Sequence, residues 1–138
     1  MYLGMGQLRA GDLTQRIIGA AMRVHSKLGP GFLESIYESA LVVELESQGL
    51  NIERQVPFVI EYKARPLAGG MRADIIVART CIVEVKAQAR ILAIHKAQCL
   101  SYLRASGLGV GLVINFGALH LRDGIARIVD WPLPPSII

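Results

Sequence analysis

Two consecutive strand-like segments in the middle of the chain carry acids and a lysine at a spacing that constrains the fold. Asp74 lies in the first segment, residues 72–78, and Glu84-Val85-Lys86 ends the second, residues 81–86. Because side chains alternate along a strand, Glu84 and Lys86 should share one face, roughly 6–7 Å apart at about 3.3 Å per residue. The pattern therefore predicts a strand pair that presents an acid and a cation close enough to serve one phosphate group.

These residue types suit phosphodiester hydrolysis. Water cleaves a phosphodiester only if it is made nucleophilic and the charge on the departing oxygen is neutralised, and a Mg²⁺ held by carboxylate oxygens can do both. Asp74 and Glu84 supply such oxygens, and the ammonium of Lys86 could orient the attacking water or offset the charge on the phosphate. Glu-x-Lys alone also fits a solvated ion pair on an exposed strand face, so the interpretation depends on the rest of the chain.

A helix predicted upstream of the strand pair contains a Gly-x-x-Glu-x-x-Tyr pattern. It reads Gly31-Phe32-Leu33-Glu34-Ser35-Ile36-Tyr37 and lies in a run whose apolar residues recur at helical spacing. Glu34 and Tyr37 should therefore be neighbours on one helix surface. A core aromatic whose hydroxyl reaches a partner remains an open alternative for Tyr37.

A second helix, predicted at residues 89–105, follows the strand pair. His95, Gln98 and Tyr102 fall on one stripe of this helix, which would carry aliphatic residues if its role were only structural. His95 is a candidate for substrate contact, although a buried and hydrogen-bonded histidine fits the same position.

Taken together, these motifs resemble the GxxExxY family, a branch of the PD-(D/E)XK nuclease superfamily. The resemblance runs from about Ile17 to Arg127 and includes several motifs in order. They are His25-Ser26-Lys27-Leu28-Gly29-Pro30-Gly31, the Gly31 to Tyr37 pattern, Arg72-Ala73-Asp74, Val83-Glu84-Val85-Lys86, His95-Lys96-Ala97-Gln98, Tyr102-Leu103 and Gly111-Leu112-Val113-Ile114-Asn115-Phe116. One departure is Ala73, which stands where the superfamily's name has proline and leaves the acids in place.

The resemblance implies an α/β fold with a restriction-endonuclease-like core, a central mixed β-sheet flanked by helices, and a cofactor of Mg²⁺ or Mn²⁺. It implies that Glu34 is an extra acid on the first core helix and that Gln98 and Tyr102 line the active site. The implied catalytic residues are Lys86, Asp74, Glu84, Gln98 and Tyr102. The implied metal ligands are Glu34, Asp74, Glu84 and Val85. The candidate substrate-binding residues are His95, Tyr37 and Arg72.

The strand pair also allows a geometric prediction. Residues directly opposite each other in an antiparallel pair point to the same face, so Asp74 opposes Glu84 only if the hairpin is centred on Arg79, with an odd-numbered loop or a bulge. A two-residue loop at Arg79-Thr80 would instead pair Asp74 with Val85 and separate the acids.

Composition and local patterns predict a single domain over residues 1–138 with a short proline-rich tail at residues 131–138. A chain of 138 residues that is 52% hydrophobic can bury a sizeable core. Its longest apolar runs are too short to span a bilayer and no signal peptide is evident, so we expect a cytoplasmic protein without membrane contact. Helices are predicted at 12–28, with an Asp12/Gln15 capping box, at 33–48 and at 89–105. Strands are predicted at 52–62, 72–78, 81–86, 110–116, 118–121 and 125–131.

The sequence is compatible with two function classes. The first is a metal-dependent nuclease acting on DNA, with RNA as the alternative substrate, and with selectivity supplied by homodimerisation or a protein partner. The second is a non-catalytic nucleic-acid-binding or assembly module that keeps the fold. The net charge of +4 is compatible with either class. A small-molecule enzyme is not supported, because no glycine-rich phosphate loop follows a strand and no Ser/His/Asp pattern is present.

Overall fold

A computed structural model describes residues 9–130. The predicted tail at residues 131–138 lies outside the described residues. The elements in chain order are α1 (Ala10–Leu28), α2 (Glu34–Glu46), β1 (Ile52–Phe58), β2 (Glu61–Tyr62), β3 (Arg65–Pro66), β4 (Met71–Val77), β5 (Cys81–Lys86), α3 (Ala93–Ser106), β6 (Val110–Asn115), a 3-10 helix (Leu121–Gly124) and β7 (Ile125–Val129).

The central sheet has five strands in the order β1-β4-β5-β6-β7, and β2 and β3 form a separate hairpin. Only β5 and β6 are parallel, whereas β1–β4, β4–β5 and β6–β7 are antiparallel. A parallel pair needs a crossover connection, which α3 provides between β5 and β6. The predicted mixed sheet flanked by helices is therefore confirmed.

Helices cover both faces of the sheet. On one face, α1 and α2 pack their apolar stripes on alternate residues of β4, β5 and β6, for example Ile17 and Leu41 in one core with Val83 and Leu112. On the other face, Leu103 of α3 packs in a smaller cluster with Ala73, Ile76 and Ile82. Because both faces of β5 are covered, Cys81 to Val85 are all buried. This strand carries Glu84 into the interior.

Three local predictions are wrong. Helix α1 begins at Ala10 after Arg9, so Asp12 lies in its first turn and no capping box with Gln15 forms. The strand predicted at 52–62 ends at Phe58, and the one predicted at 118–121 is a turn that leads into the 3-10 helix.

The start of α3 is later than predicted because a side chain fixes the preceding segment. Asn115 at the end of β6 accepts a hydrogen bond from the Gln88 amide (2.8 Å) and donates one to the Gln88 carbonyl (2.9 Å). These bonds occupy backbone groups that a helix would use. The helix then begins at Ala93, where the Leu92 amide donates to Nδ1 of His95 (3.0 Å) and so satisfies a free donor at the helix start.

No helix within residues 9–130 is long and apolar enough to cross a membrane.

Candidate active site

The hairpin between β4 and β5 has the register that the acids require. Ile75 pairs with Val83 and Val77 with Cys81, so the hairpin is centred on Arg79 and its loop has three residues. Ala78 and Arg79 take up the turn at φ values of +52° and +50°. The predicted register is confirmed, and its continuation places Asp74 opposite Glu84.

At Asp74 and Glu84, hydrogen bonds to side-chain carboxylates replace the backbone hydrogen bonds of the ladder between the two strands. The amide of Asp74 donates to Oε2 of Glu84 (2.9 Å), and the amide of Val85 donates to Oδ2 of Asp74 (2.9 Å). Each carboxylate thus bonds to the strand that carries the other one. This crossed pair of hydrogen bonds holds the two carboxyl groups side by side and orients one oxygen of each toward the backbone.

The sheet is also irregular on the other side of Asp74. The pairing of β1 with β4 passes from Arg54–Ile75 to Val56–Ala73 and omits the step at which Gln55 and Asp74 would meet. Gln55 adopts a φ of +51°, in a region that non-glycine residues seldom occupy. Asp74 therefore lies where the ladder is interrupted toward both neighbouring strands, which leaves room for polar side chains inside an otherwise apolar sheet.

Burial and repulsion from neighbouring acids disfavour the ionised form of both Asp74 and Glu84. Burial, followed by the charge of Asp74, raises the pKa of Glu84 from 4.5 to about 8, although the Asp74 amide and Lys86 oppose this shift. Burial also raises the pKa of Asp74, against the hydrogen bond from the Val85 amide. Glu84 is only 5% exposed. A cation placed between the buried carboxyl of Glu84 and the half-buried one of Asp74 would favour the ionised form of both.

Lys86 and Tyr102 lie within electrostatic reach of the acid pair. Lys86 is half-buried at the end of β5, and its charge lowers the pKa of both Asp74 and Glu84. Tyr102 is half-buried on α3, and its pKa is raised first by burial and then by the charges of Glu84 and Asp74. The structure therefore brings four of the predicted catalytic residues together.

A third buried acid, Glu38 on α2, was missed in the sequence. Its carboxylate accepts hydrogen bonds from Nε and Nη2 of Arg54 (3.1 and 3.0 Å) and from Nε2 of Gln55 (3.0 and 3.1 Å). Glu38 is 7% exposed, and its charge raises the pKa of both Asp74 and Glu84. The position of Glu38 next to the apolar stripe of α2 was a signal in the sequence, because an acid that becomes buried at such a position usually has a partner.

Two residues of the Gly-x-x-Glu-x-x-Tyr pattern have other surroundings than expected. Glu34 is exposed in the first turn of α2, one turn before Glu38. Tyr37 is fully buried and stacks on Phe116, with ring centroids 4.8 Å apart. Its hydroxyl donates to the Gly29 carbonyl and accepts from the Phe32 amide, so it fastens the connection between α1 and α2. This packing role replaces the expected substrate contact of Tyr37.

The remaining predicted site residues differ in exposure and in their partners. Gln98 is exposed on α3, and Arg72 is exposed on β4, two residues before Asp74. His95 is buried, and its Nδ1 caps the start of α3. The side chain of Val85 is in the apolar core, so only its backbone carbonyl is available as a ligand.

The donor set suits a hard divalent cation that keeps part of its water shell. Two carboxylates and a backbone carbonyl provide oxygen ligands only, and Mg²⁺ is commonly held by one or two carboxylates while it retains several waters. Within residues 9–130, no group of three or more His, Cys, Asp and Glu side chains is arranged to hold a metal ion. The site therefore fits a partly hydrated Mg²⁺ or Mn²⁺ better than an ion enclosed by side chains, such as structural zinc.

Comparison with known proteins agrees with this geometry. A family model described as the PD-(D/E)XK nuclease superfamily matches residues 11–128. Neither the curated proteins nor the solved structures gave a match. Nucleases of this superfamily generally use divalent metal ions, which accords with the oxygen ligands around Asp74 and Glu84. Because the match covers most of the chain, the protein belongs to the PD-(D/E)XK nuclease superfamily.

Proposed function

We propose that the protein is a nuclease of the GxxExxY family that hydrolyses phosphodiester bonds of DNA with Mg²⁺ or Mn²⁺. The observation that carries this proposal is the crossed hydrogen bonding of Asp74 and Glu84 with the strand backbone. Such bonds fix the buried carboxyl of Glu84 beside the half-buried one of Asp74 despite the electrostatic cost of placing them there. A structural role in a sheet would be served better by apolar side chains.

In the proposed site, Asp74, Glu84 and the carbonyl of Val85 would hold the ion. A bound ion of this kind supplies an activated water and neutralises charge on the phosphate. Lys86 is close enough to both acids to lower their pKa values, and its ammonium would contact a phosphate oxygen or the attacking water. Tyr102 would donate a hydrogen bond from its hydroxyl to the same phosphate, because the raised pKa keeps the hydroxyl protonated.

Glu38 would act through its neighbours. Its two oxygens are occupied by Arg54 and Gln55, and Gln55 also lies beside Asp74, whose pKa it lowers. We therefore propose that Glu38 is a positioning residue, which holds Gln55 and Arg54 next to the acid pair. Glu34 in the exposed first turn of α2 is left without a role in this scheme.

A second candidate function is a non-catalytic nucleic-acid-binding or assembly module. The observation that favours it is that, within the described part of the chain, no third His, Cys, Asp or Glu side chain joins Asp74 and Glu84 in a metal-binding group, and Glu38 is held by Arg54 and Gln55. Such a module would bind nucleic acid and leave it intact.

The test is cleavage of supercoiled plasmid and of labelled single- and double-stranded DNA in Mg²⁺ or Mn²⁺, with EDTA and Ca²⁺ as controls. Wild-type protein should cleave, and Asp74→Asn, Glu84→Gln and Lys86→Ala should not. Glu53→Gln, on the neighbouring strand β1, is the matched control and should retain activity. Calorimetry with Mn²⁺ should show lost binding in the two acid variants and retained binding in Lys86→Ala.

Absence of both Mn²⁺ binding and cleavage in the wild-type protein would refute the nuclease. Binding of DNA that weakens with salt in the same experiment would instead support the module. Cleavage of RNA in place of DNA would change the proposed substrate and keep the chemistry.

A single domain over residues 1–138 and a cytoplasmic location stay predictions of the sequence. The family match over residues 11–128 supports the single domain.

A further inference from the structure

The small hairpin of β2 and β3 extends beyond the ends of β1 and β4. Its turn consists of two residues, Lys63 and Ala64, because Tyr62 pairs directly with Arg65. Both turn residues have positive φ, +52° and +61°. Two-residue turns of this type favour Asn-Gly, so a Lys-Ala pair is conformationally strained.

One face of this hairpin combines an aromatic ring with cations. Tyr62 and Arg65 are opposite each other in the antiparallel pair and therefore point to the same face. The ammonium of Lys63 lies 5.6 Å from the centre of the Tyr62 ring, and the Tyr62 side chain is 63% exposed. The acid of the hairpin, Glu61, pairs with Pro66 and points to the other face. The Tyr62 face, defined by Tyr62, Lys63 and Arg65, is thus basic and aromatic.

The hairpin is tied to the strand that carries the proposed site. The Leu67 amide donates to the Ile60 carbonyl (2.8 Å), and Phe58 pairs with Met71 at the base. From Met71 the chain runs through β4 to Asp74 within three residues. The nine residues from Arg65 to Asp74 span at most about 30 Å. A strand of nucleic acid passing the acids can therefore reach the Tyr62 face.

Arg72 lies between the hairpin and the acids. It is exposed and stands two residues before Asp74 on β4. A cation at this point would contact the phosphate backbone between the two places.

We infer that the β2–β3 hairpin is an arm that holds an unpaired stretch of the substrate, with Tyr62 stacked on a base and Lys63 and Arg65 on phosphates. Proteins that bind single strands combine aromatic stacking platforms with cations that follow the backbone. In a duplex the base faces are already stacked on one another, so an exposed ring next to two cations suits an unpaired strand better. The inference rests on the proposed function, since it takes the substrate to be nucleic acid.

The test is fluorescence anisotropy of a labelled oligothymidylate of twenty nucleotides, in EDTA so that no cleavage occurs. Tyr62→Ala should weaken binding roughly fivefold or more, the effect of removing one stacked base, and Tyr62→Phe should restore it. Lys63→Ala and Arg65→Ala should each lower the slope of log affinity against log salt by about 0.7. Arg79→Ala is the matched control, because Arg79 is an 81% exposed cation at the opposite end of β4.

Failure of the arm and failure of the nuclease give different results. If Tyr62→Ala binds the oligonucleotide as tightly as wild type does, the inference is wrong whether or not the protein cleaves DNA. It is equally wrong if the substitution weakens binding of a blunt duplex as much as binding of the single strand. If wild type binds no single strand, it is also wrong. Binding that depends on Tyr62 in a protein without cleavage activity would support the arm and refute the nuclease. Hydrolysis of bis(p-nitrophenyl) phosphate, which has no base to stack, should be unchanged in Tyr62→Ala.

Discussion

Replacing Glu84 by glutamine should stabilise the protein in the absence of metal. The pKa of Glu84 is raised from 4.5 to about 8 in the fold, so the folded protein resists the ionisation that the unfolded chain undergoes freely. Each pH unit between the two pKa values corresponds to about 1.36 kcal/mol of folding free energy. At pH 7 the destabilisation amounts to about 3 kcal/mol. Glutamine cannot ionise, and its side-chain oxygen can still accept the hydrogen bond from the Asp74 amide.

The sign of the pH dependence follows from the raised pKa. Below 4.5 Glu84 is protonated in both states and its contribution to stability is fully present. As pH rises from 4.5 to about 8, the unfolded chain loses the proton while the fold retains it, so stability declines. The advantage of Glu84→Gln should therefore be about 1 kcal/mol at pH 5 and about 3 kcal/mol at pH 7.

Urea unfolding in EDTA at pH 5, 6, 7 and 8 would measure this difference, with Glu53→Gln as the control for loss of a surface acid. The difference between variant and wild type should grow with pH, whereas Glu53→Gln should differ little from wild type throughout. Addition of Mg²⁺ at 100 times its Kd should stabilise wild type by about 2.7 kcal/mol and leave Glu84→Gln unchanged. A variant that is less stable than wild type at pH 8, or a difference independent of pH, would refute the electrostatic argument.

Three further predictions concern other residues of the site and its support. Glu38→Gln should lower the cleavage rate by about tenfold to 100-fold, as loss of a supporting side chain does. Glu34→Gln should leave the cleavage rate unchanged, and an equal effect of the two substitutions would place Glu34 in the site. Lys86→Met should keep the Kd for Mn²⁺ in calorimetry and reduce the single-turnover rate by about 10²–10³, and a parallel loss of Mn²⁺ binding would contradict its assigned role. Tyr37→Phe should lower the free energy of unfolding in urea by about 0.5–1.5 kcal/mol, because the Gly29 carbonyl and the Phe32 amide lose their hydrogen-bond partner. Exposed Tyr62→Phe is the neutral control, and an unchanged stability would show that the Tyr37 hydroxyl does not hold the connection between α1 and α2.

The sequence alone determined the central strand pair and what it carries. Alternation along β5 puts Glu84 and Lys86 on one face, and the parity of the hairpin puts Asp74 opposite Glu84 once the loop has three residues. The order of elements, with α3 between β5 and β6, was also predictable because each element has its own apolar period. These features depend on residues close in sequence, and local geometry fixes them.

The start of α3 depended on a contact between distant parts of the chain. The sequence predicted a helix from about residue 89, but the Gln88 backbone is bonded to Asn115, which is 27 positions away. The same holds for Gln55, whose positive φ accompanies its bonds to Glu38 on another element. Neither arrangement has a periodic signature in the sequence.

Only the tertiary structure decided which acid of α2 lies within electrostatic reach of Asp74 and Glu84. Glu34 and Glu38 are four residues apart and share one helix surface, so the helical period cannot distinguish them. They differ by one turn, about 5.4 Å along the axis, and what selects Glu38 is where α2 docks along the sheet. Tyr37 and Leu41, both fully buried, set that position by packing against the strands. Spacing in the sequence fixes the face of a helix, whereas its position along its own axis is fixed by the surface against which it packs.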